Sequence, residues 1–248
     1  MNPDMEFIRS RLTGPSAYEG DCVKRSEINT LIRGSLEFFD KCRFRLPIWA
    51  TWKPEQWRGK KEEVGEIVEN MLGWDLTDFG SGDFAKRGLI LLTLRNGSLE
   101  GSGRRKPYAE KVMVVRENQE TPLHFHWNKM EDIINRGGGN LIIELYGSTK
   151  EQDLSAQPFT VKLDGIIRRV EPGAKVVLTP GESICLDPFV YHRFYGESGK
   201  GKVLVGEVSA VNDDRADNRF YEPIGRFPEI EEDEKPLHLL VTDYPQYL

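Results

Sequence analysis

The residues whose types and spacing could do chemistry stand closest together in one run, His124-Phe125-His126-Trp127-Asn128-Lys129-Met130-Glu131. Side chains on a β-strand repeat every second residue, so His124 and His126 share a face and can reach one ion. On a helix they would diverge. The four residues between His126 and Glu131 leave room only for a short bend, which brings the Glu131 carboxylate back beside the imidazoles. A fourth ligand is expected from His192, in the aromatic run Val190-Tyr191-His192-Arg193-Phe194-Tyr195 beyond the turn Thr179-Pro180-Gly181-Glu182. The chain has four histidines; His238, near the acidic tail, is read as structural. Three imidazoles and a carboxylate suit Mn, Fe, Co, Ni or Zn and lack the thiolates of a structural zinc site. An ion that prefers six ligands would keep two places open, enough to chelate the neighbouring oxygens of a hydroxy-aldehyde or hydroxy-ketone.

Such an ion favours loss of the proton next to a carbonyl, and aldose–ketose isomerisation then needs a group to carry that proton between two carbons. Glu207, on the strand face of Val203 and Val205, is the first candidate base, with Asp217 and Glu222 in reserve. Lys111 is the candidate donor to a sugar oxygen. Sugar hydroxyls call for polar partners and a flat apolar wall. Asp213, Asp217, Asn218 and Arg226 are expected to supply the first and Phe194 the second. Strand alternation sends Trp127 and Tyr191 to the face opposite the histidines, as inter-sheet core.

The pattern His-x-His-x4-Glu, the glycine-rich turn Arg136-Gly137-Gly138-Gly139-Asn140, and Gly181-x6-Pro188-x3-His192 resemble the two metal-binding motifs of the cupin superfamily. Here the glycine that many cupins place between the proline and the last histidine is missing. The stretches Glu207-Val208-Ser209-Ala210-Val211-Asn212-Asp213-Asp214, Ala216-Asp217-Asn218-Arg219-Phe220 and Arg226-Phe227-Pro228-Glu229-Ile230-Glu231-Glu232-Asp233-Glu234 narrow this, because they resemble the D-lyxose isomerase family of sugar-isomerising cupins over nearly the full length. That resemblance implies D-lyxose to D-xylulose isomerisation, D-mannose to D-fructose as a side activity, Mn2+ as the divalent metal, and a homodimer. Two other readings compete. An iron-dependent cupin dioxygenase would need Fe(II) and consume oxygen, and a sugar-sensing module would bind without turnover. A phosphosugar substrate would want clustered Arg or Lys near the mouth, where only Arg219 and Arg226 stand, so a free sugar is favoured.

The elements that must position these residues divide the chain into a helical extension (1–86), a barrel (87–211) and a tail or lid (212–248), all in one domain. The 248 residues suffice for one sizeable core. A content of 30% charged and 38% hydrophobic residues, with 24 glycines and 14 prolines, fits a turn-rich soluble protein. The net charge of -6 argues against a nucleic-acid partner, and no apolar run reaches a membrane span. Cys22, Cys42 and Cys185 form neither a disulfide framework nor a zinc motif, which fits a reducing cytoplasm.

The sequence predicts a first helix capped by Ser26, with Ile28, Leu31, Ile32, Leu36 and Phe39 as its apolar stripe. A second helix is predicted from Pro54 to Gly73, carrying Trp57, Val64, Ile67, Val68 and Met71, and both should cover one outer face of the barrel. From residue 87 on, β-branched runs at 89–94, 111–115, 140–146, 159–163, 166–170, 175–178, 183–186 and 202–208 alternate with turn signals. Asp164-Gly165 marks a hairpin, and the spacing of about ten residues is that of a double-sheet jelly roll. The expected fold class is therefore all-β, a cupin double-stranded β-helix with N-terminal helices packed outside. The polar-aromatic stretch 212–226 is expected to fold over the barrel mouth, and the acidic run 229–234 to be solvated.

Overall fold

The computed structural model describes residues 22–98, 106–211, 217–225 and 229–248. After a two-residue strand β1 (Val23–Lys24) comes helix α1 (Arg25–Lys41), then the short helices α2 (Pro54–Trp57) and α3 (Gly65–Glu69). The strands that follow are β2 (Gly73–Thr77), β3 (Leu89–Arg95), β4 (Tyr108–Val115), β5 (His124–His126), β6 (Glu131–Gly138), β7 (Leu141–Gly147), β8 (Phe159–Leu163) and β9 (Ile166–Val170). The chain continues through β10 (Ala174–Leu178), β11 (Ser183–Leu186), β12 (Val190–Gly196), β13 (Val203–Ala210), β14 (Asn218–Phe220) and β15 (Ile230–Glu231), and ends in α4 (Tyr244–Tyr247).

Two antiparallel sheets carry the architecture. The larger runs β2-β3-β4-β13-β6-β11-β8-β9 and the smaller β10-β7-β12-β5-β14. Alternation sorts their side chains. Met113, Val115, Ile133, Val203 and Val205 from the large sheet meet Leu141, Ile143, Leu145 and Phe194 from the small one in the barrel core. Their neighbours Leu92, Val112, Val114 and Leu204 point outward, where α1 covers them with Ile28, Ile32 and Phe39, both isoleucines fully buried. Each fully buried side chain of this size contributes about 1.5–3 kcal/mol. The predicted hairpin is present: Asp164 and Gly165 both take positive φ (49° and 79°), the conformation a two-residue turn between β8 and β9 requires.

Several expectations are corrected. Ser26 is not the N-cap, because the cap is Lys24, two residues earlier, and Ser26 donates its hydroxyl to Asp233 Oδ2 at 2.7 Å. The helix predicted over 54–73 breaks into α2 and α3. Gly59 turns the chain at φ +72° between them, and Trp57 and Val64 pack on Leu239, Val241 and Tyr244 of the C-terminal segment. The acidic run is exposed as expected, and it also reaches the start of α1. Arg25 pairs with Glu232 (2.6 Å) and Asp243 (2.9 Å), and Asn29 donates to Glu234 (3.0 Å). Tyr191 is fully buried as expected, but it lies outside the inter-sheet core, in an aromatic group with Phe125, Phe189 and Tyr221 on the outer face of the small sheet. Trp127 joins that group edge-on to Phe125, 5.7 Å between centroids.

Candidate active site

One cavity of about 290 Å³ opens between the sheets, and it gathers most of the chemistry-bearing residues found in the sequence. His124 and His126 reach it from β5, His192 from β12, Glu131 from the first position of β6, Lys111 from β4 and Glu207 from β13. Pairing of His192 with His124 across β12 and β5 sets two imidazoles side by side, and the two-residue step along β5 adds the third. Ligand nitrogens of the three rings lie within 4.8 Å of one another. Glu131 Oε1 approaches to 3.0 Å from His192 Nε2 and 3.4 Å from His126 Nε2.

The hydrogen bonds behind the rings fix their tautomers. Each Nδ1 faces a backbone carbonyl: His124 that of Pro122 (2.8 Å), His126 that of Asp217 (3.0 Å), His192 that of Val190 (3.0 Å). A carbonyl only accepts, so each Nδ1 carries the proton and each Nε2 turns a lone pair inward. Burial drives the His124 pKa well below its ordinary value, and the neighbouring His192 and His126 push it further the same way. Desolvation would raise the Glu131 pKa, but the Lys129 ammonium and His126 outweigh it and hold the carboxyl well below its usual range. Two of the converging atoms, His126 Nε2 and Glu131 Oε1, are buried with no hydrogen-bond partner. Buried polar atoms are rarely left so. Three imidazoles, an ionised carboxylate and two buried atoms without partners, all aimed at one point, fit a divalent cation, and this group could hold one.

Beside it lies a buried set of balanced charges. Lys129 Nζ sits 2.7 Å from Glu131 Oε2 and 2.9 Å from Glu207 Oε1, while Lys111 Nζ is 3.7 Å from Glu207 Oε1. Ser209 Oγ lies 3.2 Å from that same Oε1 and 2.8 Å from Ala210 O, two acceptors for its one proton. Sequence reasoning missed Lys129, which lies in the bend between β5 and β6, where no strand period marks the direction of a side chain. Phe194 lines the cavity as expected, with Phe79, Leu89, Leu91, Phe220 and Ile224 adding apolar wall.

Asp217 is absent from the lining. Its carboxylate accepts from Asn128 N (2.9 Å), Asn128 Nδ2 (2.9 Å) and Lys129 N (2.8 Å), which clamps the bend between β5 and β6. Glu222 is turned outward, 3.6 Å from Arg87. Asn218 does line the cavity, on β14, which adds itself to the edge of β5. Asp213 and Arg226 lie outside the described residues. His238 Nδ1 donates to Trp52 O (3.0 Å), and the residue is not part of the cavity group.

Two stacked antiparallel sheets around a histidine-lined cavity define a cupin barrel, with its N-terminal helix on the outside. The same fold is seen in L-ribose isomerase from Acinetobacter sp. DL28, in complex with L-ribose, at 14% identity and a TM-score of 0.55 over 86% of this chain and 99% of that one. L-ribose isomerase of Cellulomonas parahominis with L-psicose matches at 15% identity and a TM-score of 0.55, over 85% and 99%. The family model described as D-lyxose isomerase matches residues 23–244, and the chain belongs to that family. D-lyxose/D-mannose isomerase of Serratia proteamaculans is 48% identical over 91% of this chain and all of its own length. The protein of the same name from Escherichia coli O157:H7 is 47% identical over the same shares. The chain is therefore an enzyme of the ketol-isomerase class. None of its described helices is long and apolar enough to cross a membrane.

Proposed function

We propose that the protein interconverts D-lyxose and D-xylulose, and D-mannose and D-fructose more slowly, with a divalent ion, Mn2+ by preference, held by His124, His126, Glu131 and His192. The observation that carries the metal reading is the pair of orphaned buried atoms, His126 Nε2 and Glu131 Oε1, among three imidazoles whose lone pairs all face inward. The choice of sugars is supported by the names of the two relatives near 48% identity. When bound, the ion would supply Lewis-acid polarisation of the sugar carbonyl, an effect of several kcal/mol.

The chain's own groups then move the proton. Lys129, Ser209 and Lys111 all gather on Glu207 Oε1, which leaves Oε2 to take the proton from the carbon next to the carbonyl and return it to the carbonyl carbon, while the proton of the neighbouring hydroxyl passes to the former carbonyl oxygen. Fixing one oxygen orients the other, and positioned acid–base groups contribute typically 10²–10⁴-fold. Lys111 lies near enough to the same carboxylate to donate to the sugar oxygen on which negative charge develops. Phe194 gives the carbon chain a flat wall, Asp217 acts by holding the bend that carries Lys129, and segment 217–225 serves as a lid. Asp213 and Arg226 stay in the proposal as sugar-binding residues of the same polar stretch.

The proposal extends to a homodimer in the cytoplasm. The free thiols of Cys22, Cys42 and Cys185 support a reducing compartment, and open strand edges at β9 and β10 support pairing of copies. The test is a panel of aldoses and ketoses given to metal-stripped and Mn-restored protein. Conversion of D-lyxose to D-xylulose without oxygen uptake is expected. No turnover of any pentose or hexose after reconstitution would sink the reading, and oxygen uptake dependent on Fe(II) would point instead to the dioxygenase.

A further inference from the structure

We propose that Thr121 is a substrate-binding residue, whose hydroxyl takes a hydroxyl group of the sugar at the end of the chain remote from its carbonyl. The inference rests on the ketol-isomerase reading of the same cavity and assigns a contact within it. Thr121 lines that cavity and is 4% exposed, yet its Oγ1 has no hydrogen-bond partner. Among the described residues, the two other cavity atoms in this state both belong to the cation group. A buried hydroxyl left unpaired lowers stability, so a fold keeps one where a ligand completes it.

The backbone fixes where that hydroxyl stands. Thr121 N donates to Phe194 O at 3.0 Å, which places the residue against β12 beside Phe194. On β12 the inward-facing residues are His192 and then Phe194, two residues and so about 7 Å further along the barrel. Thr121 therefore sits one strand step beyond the imidazole layer. A sugar whose carbonyl end is at the imidazoles extends its remaining carbons along the Phe194 wall toward it. Thr121 thus places a buried hydroxyl at this point of the wall. A threonine hydroxyl both donates and accepts, which matches an alcohol.

Thr121→Val keeps the shape and removes only the hydroxyl, and Thr121→Ser keeps the hydroxyl. Because the hydroxyl bonds nothing in the protein, Thr121→Val should melt at the same temperature as the parent or higher. Its kcat/KM on D-lyxose should fall about tenfold or more, and Thr121→Ser should recover most of the loss. On the deoxy sugar that lacks the partner hydroxyl, Thr121→Val and the parent should perform alike, which also identifies the carbon. Calorimetric titration of the Mn-loaded protein with the pentitol made by reducing D-lyxose should show about tenfold weaker binding in Thr121→Val, a readout independent of turnover. The inference is overturned if the parent binds the pentitol and converts D-lyxose while Thr121→Val matches it in both, or if the valine variant melts lower and serine does not rescue. A parent that binds the pentitol through Thr121 but converts no sugar would leave this contact standing and overturn the isomerase reading alone.

Discussion

At the scale of single residues, the site is a lesson in strand period. The run His124 to Glu131 was readable because the two-residue repeat joins the histidines on one face and a short bend returns Glu131 beside them. Lys129 escaped notice because a lysine between Asn128 and Met130 reads as surface; nothing local says that its ammonium is buried between two carboxylates. Asp217 was legible as a polar residue but not as a clamp, since its three donors lie 88 and 89 residues away in sequence. These geometries set the first two tests. Glu131→Gln keeps the shape but removes the anionic ligand and half of the Lys129 pairing. It should abolish measurable Mn2+ binding by calorimetry and lower the melting temperature; undiminished metal affinity would remove Glu131 from the ligand set. Asp217→Ala frees the Asn128 and Lys129 amides without touching a ligand. Loss of such outer support typically weakens metal binding 10–100-fold, and titration of the folded variant should fall in that range. An unchanged affinity would mean that the bend holds itself.

At the scale of elements, β-branched runs ending in turn residues located most barrel strands within a residue or two, because each strand's preference and its turn are local; β4 begins three residues before its expected run, and β6 was read as a bend and a glycine-rich turn. What failed was non-local. β2 is a short Gly-Trp-Asp-Leu-Thr segment that is a strand because β3 pairs with all five of its residues. β14 exists through its pairing with β5. The stripe from Trp57 to Val68 does bury apolar residues, but Gly59 interrupts the helix and the partner is the C-terminal segment. Between Pro188 and His192, the place where many cupins keep a glycine, Phe189 takes φ +65° itself and sets its ring 5.3 Å from Phe125. Gly59 allows a clean check. A Cβ there meets nothing within 4 Å, so Gly59→Ala tests backbone strain alone. The left-handed conformation costs an alanine about 1–2 kcal/mol, and at this chain length each kcal/mol lowers the melting temperature by roughly 2–4 °C. A loss of a few degrees with kcat/KM unchanged is expected; a variant as stable as the parent would show that α2 and α3 can rejoin.

At the scale of the whole molecule, the chain closes on itself through a charge cluster that no local pattern could announce. Arg25 opens α1 and is 1% exposed; its two carboxylate partners stand 207 and 218 residues further on. Burial works against its charge, yet Glu232 and Asp243 more than offset this and push its pKa above the ordinary arginine value. Asp243 also caps the turn before α4 by accepting from Leu240 N at 2.9 Å. The segment so fastened carries Leu239, Val241 and Tyr244 into the third apolar cluster, and it follows directly from the stretch whose Phe220 and Ile224 line the active cavity. Fastening at residues 229–243 and at β14 thus tethers the roof of the cavity from both sides. In Arg25→Met, Glu232 is half-exposed and regains water, but Asp243 stays buried with its charge uncompensated, a cost of about 3–5 kcal/mol. The melting temperature should fall by roughly 10 °C. Hydrogen exchange at Val241, whose amide bonds Trp74 O, should rise well before exchange in β13 does. Replacing Asp243 by leucine in the same chain should return part of the lost stability, since it removes the stranded charge. If the double variant melted no higher than Arg25→Met, the loss would come from packing around the guanidinium stem and the ionic clasp would not be what holds the two ends together.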